Sequence, residues 1–155
     1  LRLWRICKRK YAPTAFSGEG ANRVGGRWNS PGHRIVYTSA TLSLAALETF
    51  VHMEVEDMGT MLAYVRADVP TEVKIDRLEI SQLPSNWRQI PAPSALADIG
   101  NRWFTSGKTA ILAVPSAIMP IEYNYLVNPS HPDFAKFILE SPQALELDPR
   151  LWKTD

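Results

Sequence analysis

Hydrophobic and polar positions change period several times along the chain, and each change marks an element. Leu1, Leu3 and Arg5 alternate with Arg2, Trp4 and Ile6, the two-residue period of a first strand over 1–6. Residues 17–26 hold Gly18, Gly20, Gly25 and Gly26 and read as a loop. A short strand over 27–29, a turn at Ser30-Pro31-Gly32-His33 and a β-branched, aromatic strand over 35–38 read as a hairpin. Ser39 or Thr41 can cap a helix running to about Met53. Its apolar residues fall on two sides, Leu42, Ala45, Ala46 and Phe50 on one and Leu44, Leu47 and Val51 on the other. Such a helix is covered on both sides.

Further on, 60–69 alternates as a strand and 72–75 reads as a short one, followed by an irregular stretch over 76–92. A helix over 94–104 is expected to be capped by Ser94 and stopped near Gly107. Residues 109–114 and 121–127 read as buried strands, 132–139 as either helix or strand, and 144–147 as a closing strand. Strands outnumber helices and the helices stand apart, so the class is α+β.

Composition narrows the picture. The 155 residues are 45% hydrophobic and 21% charged, enough for one globular domain over 1–155 and too apolar for a disordered chain. No run approaches a membrane span. The single cysteine, Cys7, makes no internal disulfide and no multi-cysteine zinc site, so the cytoplasm is the default compartment. The net charge of +1 argues against a dedicated nucleic-acid binder, but eight of the basic residues lie in 1–34 against one acid, Glu19. This basic third points either to an anionic ligand such as a pyrophosphate or to a solvated face.

Candidate chemistry starts at Glu48, the one ionisable residue between Leu42 and Val51. Burying a carboxylate is costly unless it is paired, so it is paired, faces a cleft, or lies on a narrow wet stripe. Arg27 follows two glycines that permit close backbone approach, and its planar fork of donors suits phosphate. Arg5 is a second anion candidate in mid-strand. The Tyr37 ring is able to stack on a flat ligand or simply to pack in the core. Ser116 follows a buried strand, where its hydroxyl would hold a ligand or cap a turn. His131, among turn residues, reads as a structural donor. No metal-ligand spacing, catalytic triad order or phosphate-loop motif is present, and Gly18-Glu19-Gly20 has Arg23 where a dinucleotide fingerprint needs its third glycine.

Several ordered blocks together resemble the RES domain family. They are Gly26-Arg27-Trp28-Asn29, Gly32, Ile35-Val36-Tyr37-Thr38-Ser39 and Leu42-Ser43-Leu44-Ala45-Ala46-Leu47-Glu48, then Asn124-Tyr125-Leu126-Val127-Asn128-Pro129, His131-Pro132-Asp133-Phe134 and Asp148-Pro149-Arg150-Leu151. The resemblance implies an ADP-ribosyltransferase-like core of short strands in split sheets with a few helices. It also implies a bacterial toxin that consumes NAD as substrate, without a resident cofactor, and an Xre-like antitoxin that neutralises it. The arginine, glutamate and serine that name the family would be Arg27, Glu48 and Ser116.

On that basis Glu48 would stabilise positive charge on the ribose, Arg27 and Arg5 would grip the pyrophosphate, Tyr37 would orient the nicotinamide side, and Ser116 would hold a ribose or phosphate oxygen. The acceptor of ADP-ribose is left open among water, phosphate and a protein. A non-enzymatic polyanion-binding module is the competing reading, with a ribonuclease weaker because His33, His52 and His131 show no pairing.

Overall fold

The computed structural model describes residues 1–53 and 61–152. Eight strands form one connected sheet: β1 (Arg2–Lys8), β2 (Val36–Ser39), β3 (Leu62–Asp68), β4 (Ile75–Arg77), β5 (Ile111–Pro115), β6 (Tyr123–Val127), β7 (Ile138–Leu139) and β8 (Gln143–Leu145). The order is β4-β5-β6-β2-β1-β3-β7, with β8 also on β3. Every pairing is antiparallel except β4 with β5.

The sheet has one weak seam. β1 and β2 pair only at Trp4 opposite Ser39, whereas β1 pairs with β3 along its whole length and β2 with β6 along all four residues. The sheet is thus continuous but joined at its middle, between β2 and β1, through a single residue pair.

Both faces of the sheet are covered, which explains the unbroken apolar run of β5. Ile111 packs with Leu3, Val36, Val65 and Val127 on one face. Leu112 and Val114 pack with Leu126, Trp28, Trp87 and Trp103 on the other. Alternation thus sends neighbouring residues into different cores, and each fully buried Leu, Ile or Val contributes about 1.5–3 kcal/mol. Two helices lie on the second face. α2 (Leu42–Phe50) is N-capped by Thr41, whose side chain accepts from Leu44 N, and it packs Ala45 against Ile6 and Leu62. α3 (Ser94–Ser106) packs Leu96 and Trp103 and ends at Gly107 in the left-handed conformation.

The structure corrects four expectations. Residues 19–24 are helical (α1, Glu19–Val24), because Gly18 and Gly25 take positive φ at its two ends and bracket a turn and a half of helix. Residues 27–29 form no strand and no hairpin with β2. They close a tight turn through Gly26 N to Asn29 O (2.9 Å) and Asn29 N to Gly26 O (3.3 Å). Pro93, not Ser94, caps α3, without a side-chain bond. The stretch 76–92 contains most of β4 and a 3₁₀ turn at Ile80–Gln82. The undecided 132–139 is both: a 3₁₀ turn over Pro132–Lys136 and then β7. The expected strand over 60–69 holds as β3, with Thr60 outside the described residues.

Candidate active site

The seam and the last turn of α2 bring together polar residues from β2, from β6 and from the end of β5. Ser39 ends β2, Asn124 lies opposite it on β6, and Ser116 follows β5. Period-two alternation places all three on the face that carries Leu112, Val114 and Leu126, the face on which α2 lies. There they meet Glu48. Its Oε1 accepts from Ser116 Oγ at 2.7 Å and from Asn124 Nδ2 at 2.5 Å. Ser39 Oγ donates to Asn124 Oδ1 at 2.6 Å. Ser116, fully buried, also accepts from Ile118 N (3.1 Å) and Met119 N (3.0 Å), which fixes the loop after β5. The carboxylate left unexplained on an apolar helix is thus paired with neutral donors, which satisfies its desolvation without a contact ion pair.

The turn at 26–29 carries Arg27. Tyr37 Oη accepts from Trp28 N (3.0 Å) and donates to Asn29 Oδ1 (2.7 Å), while Asn29 Nδ2 donates to Ala21 O and Ser30 O. Gly26 is required here, since a Cβ would stand 2.7 Å from Tyr37 Oη. From this turn Arg27 Nη1 donates to Trp87 O at 2.7 Å, with Gln89 O at 3.4 Å. Partial burial pulls the Arg27 pKa down, opposed by the negative charge of Glu48 and by Tyr37. Arg27 and Glu48 are therefore close enough for their charges to interact. Burial pushes the Tyr37 phenol well above its ordinary value, against the hydrogen bond from Trp28 N and the nearby Arg27 charge.

Arg5 lies at the seam. Its Nη1 donates to Tyr37 O at 2.9 Å, where β1–β2 ladder bonds have stopped. Its Nε is covered and without a partner among the described residues. Burial lowers the Arg5 pKa, with a smaller opposing influence from Cys7.

Of the residues singled out by sequence, Arg27, Tyr37, Glu48 and Ser116 come together, two of them in changed roles, whereas Arg5 alternates onto the sheet face of Leu3 and Val65 and is tied to the others through Tyr37 O. The Tyr37 hydroxyl spends its donor and one acceptor on the 26–29 turn, so it holds Arg27's platform, and only the ring remains to face a ligand. The Ser116 hydroxyl spends its proton on Glu48 and so holds the carboxylate rather than a ligand oxygen. The basic N-terminal third is not one continuous cationic face: Arg2 pairs with Asp68, Arg34 with Glu19, and Arg5 and Arg27 donate to carbonyls. Sequence reading missed Ser39, Asn124 and Asn29. The available signal was an asparagine among the apolar and aromatic residues of a buried strand, a position that demands hydrogen-bond partners.

Among the described residues no group of three or more His, Cys, Asp or Glu is gathered as metal ligands would be. No helix among them is long and apolar enough to cross a membrane.

This arrangement can be set beside known proteins. The profile of the RES domain matches residues 2–148. The chain belongs to the RES domain family. The "Toxin Res" of Yersinia enterocolitica is 38% identical over 153 residues, covering 97% of this chain and 99% of the relative. The "Toxin Res" of Photorhabdus laumondii is 42% identical over 137 residues, covering 88% of this chain and 86% of the relative. A protein of Sphingobium named "Prs ADP-ribosylating toxin" is 38% identical over 154 residues, covering 96% and 95%. In fold, this RES domain is similar to a chain of the M. tuberculosis MbcT–MbcA toxin–antitoxin complex, with a TM-score of 0.77 at 20% identity, covering 97% of this chain and 86% of that one. The α+β class expected from the sequence is the class observed, with strands outnumbering helices.

Proposed function

We propose that this RES domain is the toxin of a toxin–antitoxin pair and that it binds NAD beside Glu48 and breaks the nicotinamide–ribose bond. The observation that carries the reading is the Glu48 carboxylate, held through one oxygen by neutral donors, with the Arg27 guanidinium within range of its charge. In the reaction the bond from ribose C1′ to the nicotinamide nitrogen breaks. The electron pair leaves with nicotinamide, which departs neutral, so no general acid is required. C1′ becomes oxocarbenium-like, and a fixed carboxylate beside it stabilises the charge as it forms. Water or inorganic phosphate then bonds to C1′ and releases its proton to solvent. Arg27 is the donor for the pyrophosphate, exchanging its bonds to the Trp87 and Gln89 carbonyls for phosphate oxygens. The toxin names of the relatives support the biological role, and an Xre-like antitoxin is the proposed neutralising partner.

A second acceptor has one observation in its favour. The Sphingobium relative is named as an ADP-ribosylating toxin at similar identity and coverage, so a protein side chain is the alternative to water or phosphate. One experiment separates them: incubation of purified protein with NAD, with and without phosphate, and mass spectrometry of the products. The expected products are nicotinamide with ADP-ribose or its phosphate. Glu48→Gln should slow nicotinamide release on the order of 10²–10³-fold while leaving the circular dichroism spectrum intact. Equal rates in the two proteins would remove the carboxylate from the chemistry.

A further inference from the structure

We infer that Asn124, oriented by Ser39, is the positioning residue that aims the Glu48 carboxylate. The inference rests on the NAD-cleaving reading and adds to it two residues and a direction.

The argument is one of donors and acceptors. A carboxylate only accepts, so Asn124 must present its amide nitrogen to Glu48, as the 2.5 Å contact has it. Its carbonyl oxygen then faces Ser39, which must donate, at 2.6 Å. Ser116 has one proton and receives two backbone N–H groups on its oxygen, so that proton goes to Glu48. Each hydrogen in the chain Ser39 to Asn124 to Glu48, and in Ser116 to Glu48, has one consistent direction. Both bonds end on Oε1, which pins one oxygen and leaves Oε2 without a hydrogen-bond partner among the described residues. If the amide turned over, its carbonyl would face the carboxylate and repel it. The carboxylate itself opposes that flip, and the Ser39 hydroxyl, by donating to the amide oxygen, anchors the asparagine in the orientation that remains.

The site of this relay is informative. Ser39 is the residue at which the two sheet halves join, opposite Trp4, and its other neighbour is Asn124. The carboxylate's aim is thereby tied to the end of the β2–β6 ladder, where Ser39 pairs with Asn124 beside the seam. Two strands, and the residue that follows a third, each supply one polar side chain on the same face. Ser39 and Asn124 are 85 positions apart, and Asn124 is 76 from Glu48. Burying an amide and a hydroxyl in an otherwise apolar face costs stability unless every bond is made, and here they are made toward one carboxylate oxygen.

A group that matters only as charge develops on the ribose lowers kcat and leaves KM nearly unchanged when it is misplaced. Steady-state NAD cleavage by the intact protein should therefore show Asn124→Ala reduced on the order of 10²-fold in kcat, with KM close to that of the unsubstituted protein. Ser39→Ala, which keeps the asparagine but removes the donor that anchors its carbonyl oxygen, should lose about tenfold and fold normally even if Asn124→Ala does not. In a Glu48→Gln background the further removal of Asn124 should change kcat little, because there is no longer an aimed charge to lose. A loss confined to KM, a full loss added on top of Glu48→Gln, or wild-type kcat in folded Ser39→Ala would overturn the positioning role. If the unsubstituted protein leaves NAD intact, the functional reading fails, and this inference falls with it for that separate reason.

Discussion

Gly100 offers a substitution whose outcome has opposite signs by sequence and by structure. It lies inside α3, where alanine is favoured over glycine by about 1 kcal/mol from helix propensity alone. In the fold, however, a Cβ at Gly100 would stand 1.8 Å from the carbonyl oxygen of Trp28, 2.9 Å from its carbonyl carbon and 3.3 Å from its Cβ. The first two neighbours are backbone atoms and cannot rotate away. Restoring ordinary contact requires α3 and the 26–29 turn to separate by about 1.5 Å. Trp28 is itself buried at 3% exposure among Leu96, Trp103 and Leu126, so that separation opens a packed core. Overpacking of this kind costs about 1–3 kcal/mol, more than the propensity gain at its upper end.

For a chain of this size each kcal/mol moves Tm by about 2–4 °C, so Gly100→Ala should melt several degrees below the unsubstituted protein. Gly20, in α1, is the control. A Cβ there meets nothing within 4 Å, and Gly20→Ala should gain up to about 1 kcal/mol. Thermal unfolding followed by circular dichroism reads both. Because Arg27 precedes Trp28, the Gly100 variant should also lose NAD cleavage at temperatures where it remains folded. A Gly100→Ala protein as stable as its parent, alongside a stabilised Gly20→Ala, would refute the contact argument.

Two further outcomes follow from ionisable groups outside the site. Hydrogen bonds from Arg66, and secondarily Arg2, hold the Asp68 carboxyl below its ordinary value of 3.8. A depressed folded value stabilises the protein above the unfolded value, and that contribution disappears as pH falls through the folded one. Thermal melts taken from about pH 6 down to about pH 2 should fall less steeply for Asp68→Asn, and identical slopes would contradict the assignment. Burial pushes the Cys7 thiol upward against the opposing charge of Arg5, so iodoacetamide should label native protein more slowly than unfolded protein at the same pH. Equal labelling rates would show that the thiol is not shielded.

How far the chain declares itself differs between elements and site. β1, β3, β5 and β6 and helices α2 and α3 announce themselves through local period, and the Thr41 cap and Gly107 stop lie where residue chemistry puts them. Glu48 is conspicuous because it is charged in an apolar helix. By contrast α1 is hidden by its glycines. At Gly18 and Gly25 they serve positive-φ ends of a helix, and composition alone does not separate that use from coil. The false hairpin has a similar cause: a turn signal and an adjacent β-branched run do not reveal that β2 will pair with β6 and touch β1 at one residue.

What the chain by itself determined is the list of elements, the α+β class and the odd residues, Arg27 and Glu48 among them, because period, capping and desolvation act over a few neighbouring positions. Strand order, the single-pair seam and the meeting of Ser39, Asn124 and Ser116 around one carboxylate oxygen came only with tertiary structure. Alternation decides which residues share a face of a strand, but which strands become neighbours is decided by burying two apolar faces at once, across separations of 68 to 85 positions. The same physics reassigned Tyr37 and Ser116, since a hydroxyl's role depends on the partners that folding brings within reach of it.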